Sequence, residues 1–253
     1  MYGTYLSASG ADSYSRYLEV IANNVANVDT PGFRRELPVI KAFHSEAIEQ
    51  GLASPGDGGI HDLGGGVGMF QTVTSFEIGQ VQRTGVDSDV MLADPRGDHF
   101  FVVDQDGQQM LTRAGNFLFD KDGYLVTQSG RQVMSSSGGP VRINPALPYE
   151  FDSTGNVVQP ATGTRAELAV VRPTSLHDLQ HMGENMFAPN GQLQSVPPEE
   201  RRVRAGFLET SAARPVQEMV DMIKVTKAYE ANVRMIQQQD GITESLLTRV
   251  LRG

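Results

Sequence analysis

Residues 214–251 of this 253-residue chain constrain its fold more than any other stretch. Met219, Met222, Thr226, Tyr229, Val233, Ile236, Asp240, Thr243, Leu247 and Val250 follow one another at alternating steps of three and four. That spacing is the seam along which one helix lies against another. Val216, Val220 and Ile223 widen it at the N-terminal end. Pro215 suits a first helical turn, where its missing N–H would be unpaired anyway, and Glu218 stands where the helix dipole favours negative charge. At ~1.5 Å per residue the helix is about 55 Å long, more than a compact domain needs, so it requires a partner.

The other end of the chain is the candidate. Thr4, Ser7, Ala11, Tyr14, Leu18, Ile21, Val25 and Val28 repeat the same spacing, weakly apolar for two turns and strongly so afterwards. Asn24, Asn27 and the turn Thr30-Pro31-Gly32 stop this helix, because proline cannot continue it and glycine at the third turn position accepts positive φ. Two arrangements satisfy the pattern. Either the terminal helices close one domain, or both await other copies of the chain.

The charge is unevenly placed. Residues 36–200 hold 9 basic against 21 acidic side chains, whereas residues 1–35 hold 3 of each and residues 201–253 hold 9 against 6. An acidic middle repels nucleic acid and anionic membrane, and near-neutral ends can pack against copies of themselves. No nucleic-acid partner is expected. The absence of cysteine excludes disulfides and thiolate chemistry. No apolar run is long enough to span a membrane, and residues 1–10 lack the basic and apolar blocks of a cleaved secretory signal.

Between the ends, short apolar runs alternate with turns. Residues 36–50 suit a short helix through Val39, Ile40, Phe43, Ala47 and Ile48, and residues 51–68, rich in Gly, Ser, Pro and Asp, read as a flexible loop. From Phe70 onward strands dominate. The clearest are residues 100–103, 110–113, 117–119, 124–127 and 132–134, separated by Asp106-Gly107, Asp122-Gly123 and Ser129-Gly130. Such turns join consecutive β-hairpins. The fold class is α+β: an all-β central domain, a distorted barrel or sandwich of hairpins, with N- and C-terminal helices pairing as a coiled-coil-like domain. Residues 1–35 with 205–253 form that helical domain, and residues 36–204 the β-rich one.

No catalytic constellation stands out. The glycines at 64, 65, 66 and 68 miss the GxGxxG spacing, and no lysine follows a glycine as a phosphate-cradling loop demands. Asp104-Gln105-Asp106-Gly107 and Asp120-Lys121-Asp122-Gly123 begin like calcium loops, but glycine comes two positions early and no glutamate closes either. His177 and His181 are four apart, as zinc ligands on one helix face are, yet a third ligand is missing from the sequence and surface histidines on a turn are the plainer reading. No cofactor, metal, catalytic residue or small-molecule substrate is expected, although a secreted β-domain enzyme or binding module is the alternative of another class.

Ala22-Asn23-Asn24-Val25-Ala26-Asn27-Val28-Asp29-Thr30-Pro31-Gly32-Phe33 resembles the N-terminal signature of bacterial flagellar rod and hook proteins. Gly206-Phe207-Leu208-Glu209-Thr210-Ser211, then Glu218-Met219-Val220-Asp221-Met222-Ile223 and Ala228-Tyr229-Glu230-Ala231-Asn232, are similar to the C-terminal one. Thr112-Arg113-Ala114-Gly115-Asn116-Phe117, Asp122-Gly123-Tyr124-Leu125-Val126-Thr127 and Gly183-Glu184-Asn185 resemble elements of the β region between them. Ala212-Ala213-Arg214 departs from the family's usual Asn-Val-Asn. The resemblance implies a non-enzymatic subunit of the basal-body rod, with the proximal rod favoured and the distal rod or a hook-type subunit as the alternatives. It also implies type III export without a cleaved signal and assembly in the periplasm, with copies of itself and other axial proteins, into a hollow helical shaft. Expected interface residues are Tyr14, Leu18, Ile21 and Val25 on the first helix and Met219, Met222, Tyr229, Val233, Ile236 and Leu247 on the second.

Overall fold

The computed structural model describes residues 2–44, 64–105 and 107–251, with the backbone alone at Phe70. These residues form two compact units. The first gathers residues 2–26, the described parts of 36–73, and 214–251, and the second holds residues 27–35 and 74–213. The division differs from one at 35/36 and 204/205. Residues 27–35 and 205–213 belong with the β unit because they pair with each other there, and residues 36–73 belong with the helices.

In the helical unit, α1 (Tyr2–Ala26) and α2 (Pro215–Leu251) run antiparallel. Gly3 faces Gln239, Gly10 faces Asn232, and Asn24 meets Glu218. Pro215 opens α2 with Glu218 in its first turn, as the dipole argument requires. β1 (Glu36–Phe43) pairs with β2 (Gly66–Thr74) as a two-stranded ribbon. A strand therefore replaces the expected start of a helix. Val39 and Ile40 are β-branched and pack poorly against a helical turn, and β2 supplies the ladder partner. Residues 45–50 of that expectation and 51–63 of the expected flexible loop lie outside the described residues, while Gly66 to Gly68 begin β2.

The second unit is built from hairpins. β3 (Val81–Arg83), β4 (Val90–Leu92), β5 (Phe100–Gln105), β6 (Gln108–Thr112), β7 (Leu118–Phe119), β8 (Leu125–Val126) and β9 (Glu150–Phe151) come first. β10 (Asn156–Gln159), β11 (Thr164–Glu167), β12 (Val170–Pro173), β13 (Leu179–His181), β14 (Met186–Pro189), β15 (Leu193–Ser195), β16 (Val203–Ala205) and β17 (Phe207–Glu209) follow. The largest sheet is antiparallel with order β13-β14-β6-β5-β12-β15. Phe100 to Val103 of β5 are all buried, so this central strand is covered on both faces. Phe101 and Val103 point into a core with Val90, Leu125, Val157 and Val170, and Phe100 and Val102 into a second with Leu111 and Phe187. The extended lead-in to α2 is β16 and β17, which pair with β4 and β3 and are divided by Gly206 at φ +73°.

One turn of this unit rests on a carboxylate. Asp152 Oδ1 accepts from the backbone N–H groups of Thr154 and Asn156 at 2.9 Å and from the Thr154 hydroxyl at 2.6 Å, and Oδ2 accepts from Asn156 Nδ2 at 2.9 Å. Burial alone would raise the Asp152 pKa, but the bonds from Thr154 and Asn156 outweigh it and hold the group below its usual value.

Segments far apart in sequence meet at a second carboxylate. Glu209 Oε1 accepts from Arg34 Nη1 and from the Gly79 N–H at 3.0 Å, and Oε2 accepts from Arg113 Nε at 2.7 Å. Arg113 also donates to the Leu92 carbonyl at 2.9 Å and lies 2.5 Å from Asp94 Oδ1. Arg34 donates to the Glu77 carbonyl at 2.7 Å. None of these four charged side chains exceeds 3% exposure. Burial lowers the Arg34 pKa against the raising effect of Glu209, and burial would raise that of Asp94 were it not overcome by Arg113, which leaves it lowered. Around the cluster, Gly32 N–H donates to the Glu209 carbonyl at 2.8 Å and Ala212 N–H to the Phe33 carbonyl at 3.0 Å. Asn185 Nδ2 donates to the Pro31 carbonyl at 2.8 Å, and Thr112 Oγ1 to the Asn185 carbonyl at 3.0 Å. Gly32, at φ +69°, lies so close to the Arg113 backbone that a Cβ would sit 2.6 Å from its carbonyl carbon.

Glu209→Ala strands two guanidinium groups in a dry site and is expected to cost the β unit about 3–5 kcal/mol in urea unfolding, with Glu209→Gln in between. The Asp152 carboxylate, depressed in the folded state, contributes fully above its unfolded pKa of ~3.9 and loses that contribution as pH falls through the lower folded value. The urea midpoint should therefore drop further between pH 6 and pH 3 in the wild type than in Asp152→Asn, whose side chain does not titrate.

Candidate assembly interface

The face of α1 that meets α2 is made of small residues near its start and apolar ones near its end. Gly3 and Gly10 touch α2, and Ser7 lies buried between them. A Cβ on Gly10 would come within 2.9 Å of Asn232 Oδ1, and one on Gly3 within 2.8 Å of Gln239 Nε2. Such residues let two helix axes approach more closely than leucines would. Ser13 Oγ donates to the Ser9 carbonyl at 2.8 Å and contacts the Val67 carbonyl of β2 at 3.1 Å. Val20 and Ile21 supply the buried apolar end of the helix.

Asn24 holds the unit together. Its Nδ2 donates to the Glu36 carbonyl at 2.8 Å and to Glu218 Oε2 at 3.3 Å, while its Oδ1 accepts from the Glu36 N–H at 2.9 Å. One side chain thus ties α1 to β1 and to the first turn of α2, where Glu218 is fully buried. Asn23 Nδ2 donates to Glu36 Oε2 at 3.3 Å, and Asn27 Oδ1 accepts from the Thr30 hydroxyl at 3.2 Å. Asn232 Nδ2 donates back to the Ala228 carbonyl at 2.9 Å. Glu230 is ion-paired with Lys227 and Arg234 on the open surface.

The expected interface residues divide. Ile21 is buried, and Tyr14, Leu18, Val25, Met222, Val233 and Ile236 are half-buried. Met219 and Leu247 are 54% and 57% exposed, and Tyr229 is 36% exposed. The covered face of α2 runs through Glu218, Met222, Val225, Asn232, Ile236 and Gln239 with Thr226 and Val233 half-buried beside it, and at Met219 the buried side chain is the neighbouring Glu218. Sequence reasoning passed over Gly3, Gly10 and Val225, and had Asn232 only as part of the C-terminal signature. Glycine and serine recurring at three- and four-residue steps in α1 were the available signal. Pro31, Gly32 and Phe33 lie in the β unit, where Phe33 is 2% exposed. His177 sits in a 3-10 turn (Leu176–Asp178) and His181 in β13, so they do not share a helix face.

α2 leaves apolar side chains uncovered. Val216, Met219, Val220 and Ile223 recur at steps of three and four with 41–75% exposure, and Ile242, Leu246, Leu247, Val250 and Leu251 range from 56% to 83%. They form two exposed apolar stretches on one helix. No described helix is long and apolar enough to cross a membrane.

Comparison with known proteins places the same segments in one family. Residues 5–34 match the model for flagella basal body rod proteins, residues 96–180 the flagellar hook protein FlgE/F/G D1 domain, and residues 204–249 the flagellar basal body rod FlgEFG protein C-terminal domain. The flagellar basal-body rod protein FlgF of Caulobacter vibrioides is 28% identical over 247 residues, covering 97% of this chain and 96% of that protein. FlgG of Bacillus subtilis is 28% identical over 260 residues, covering 96% and 97%. FlgG of Borreliella burgdorferi is 30% identical over 261 residues, covering 96% of each. Matches over the terminal helices and the β unit alike, in order and along nearly the full length, establish that the chain belongs to the flagellar basal-body rod protein family.

Proposed function

We propose that this chain is a structural, non-enzymatic subunit of the flagellar rod that polymerises through the faces α1 and α2 leave uncovered, building a hollow helical shaft with its own copies and other axial proteins. The observation that carries this reading is the exposed apolar surface of α2, from Val216 to Ile223 and from Ile242 to Leu251. Burying it against neighbours contributes ~25 cal/mol per Å² before ordering costs. Contacts between unlike faces that do not close into a ring extend into a filament. The helix pairing inside one chain is compatible with this, because the residues it covers are not those left for neighbours. Delivery by the flagellar type III export apparatus, assembly in the periplasm and a proximal position in the rod belong to the same proposal, with the distal rod as the alternative position. The near-neutral helical ends and the acidic middle support it by letting the ends crowd together without mutual repulsion.

Ile223→Asp with Leu247→Asp, both on exposed α2 positions, is expected to leave thermal unfolding of the monomer within ~0.5 kcal/mol of wild type yet abolish polymerisation and swimming in a strain lacking the native gene. Unimpaired swimming would remove α2 from the interface. Val233→Asp with Ile236→Asp changes the half-buried face and should instead melt the helix pair, seen as lost helical ellipticity. Asn24→Ala leaves the Glu36 backbone and the buried Glu218 short of a partner, and should cost the helical unit about 2–3 kcal/mol.

A further inference from the structure

A cavity of about 410 Å³ opens beside the loop joining β4 to β5, and its lining includes Asp94, Asp98, His99, Arg172, Glu199 and Arg202. The loop folds back on itself because Asp94 Oδ2 accepts the N–H groups of Asp98 and His99 at 2.9 and 3.4 Å, with Gly97 at φ +70° between them. This brings one ligand atom from each of Asp94, Asp98 and His99 within 4.8 Å of one another.

Two further observations point to a cation-binding role. Asp98 Oδ1 and His99 Nδ1 are buried without a hydrogen bond, and His99 is only 4% exposed. Native proteins rarely leave such atoms unserved. Charge points the same way. Arg34 and Arg113 offset Glu209 and Asp94, whereas the ion contact of Asp98 is to His99 Nε2 at 3.6 Å. That is too long for a hydrogen bond, which leaves Asp98 Oδ1 open to a further ligand.

We propose that Asp94, Asp98 and His99 bind a divalent transition-metal ion, zinc being the best match to one imidazole and two carboxylates. Asp94 Oδ1 keeps a second lone pair beside its contact with Arg113, and water from the cavity completes the shell. The ion would tie the β4–β5 loop to the Arg113–Glu209 cluster, giving the β unit a metal staple.

The test uses the full chain stripped with EDTA and dialysed. At a hundredfold excess over its dissociation constant, zinc should raise the melting temperature by about 5 °C or more, with one-to-one binding heat in calorimetry. His99→Ala and Asp98→Asn should lose both effects, while a His177→Ala/His181→Ala control keeps them. Absence of a shift and of binding heat in the wild type, or an equal shift in His99→Ala, overturns the proposal. Should the variants fail to fold, the wild-type imidazole resonances decide: zinc must move those of His99, and movement confined to other histidines overturns the site.

Discussion

The Glu209 carboxylate is the point on which the β unit depends. It is fully dehydrated, it accepts from Arg34, Arg113 and a backbone N–H, and those partners come from three segments remote in sequence. A charge so placed is tolerated only with complete pairing, since the desolvation cost of each ion is several kcal/mol. The pairing in turn dictates backbone positions. Residues 32 and 33 lie beside 209 and 212, and Asn185 reaches across to Pro31. The family signatures that look unrelated as strings, from Thr30-Pro31-Gly32-Phe33 through Thr112-Arg113 to Gly206-Phe207-Leu208-Glu209, are thus parts of one junction.

Asn24 does in the helical unit what Glu209 does in the β unit. A primary amide can donate and accept at once, so it serves both the N–H and the carbonyl of Glu36 and still reaches Glu218. Neither a carboxylate nor an aliphatic side chain could do so. The helix pair is consequently specified by polar geometry at one end and by close backbone approach at the other, with only a short apolar stretch around Val20, Ile21 and Val225 between them.

Features that rest on local chemistry were legible in the sequence. Pro215 at the start of α2, the glycine-bearing turns at 107, 123 and 130, and the buried run Phe100 to Val103 follow from backbone preference and apolar pattern. Features that rest on a distant partner were not. β1 could be recognised as a strand only with β2 in view, and the Arg34–Glu209–Arg113 cluster joins residues whose charges look ordinary in isolation. The seam of α2 misled for a specific reason. An apolar template favours Met219, but α1 offers Asn24 rather than a large knob and so draws Glu218 inward, while Gly10 admits Asn232 beside the half-buried Val233.

The contact between α1 and α2 at Gly3 and Gly10 carries a mechanical consequence. Glycine has no rotamers to change, so a twist of one helix against the other there is taken up by the side chains of Gln239 and Asn232 that lie against it. The joint therefore yields more readily at Gln239, with three rotatable side-chain bonds, than at Asn232, whose amide is tied back to the Ala228 carbonyl.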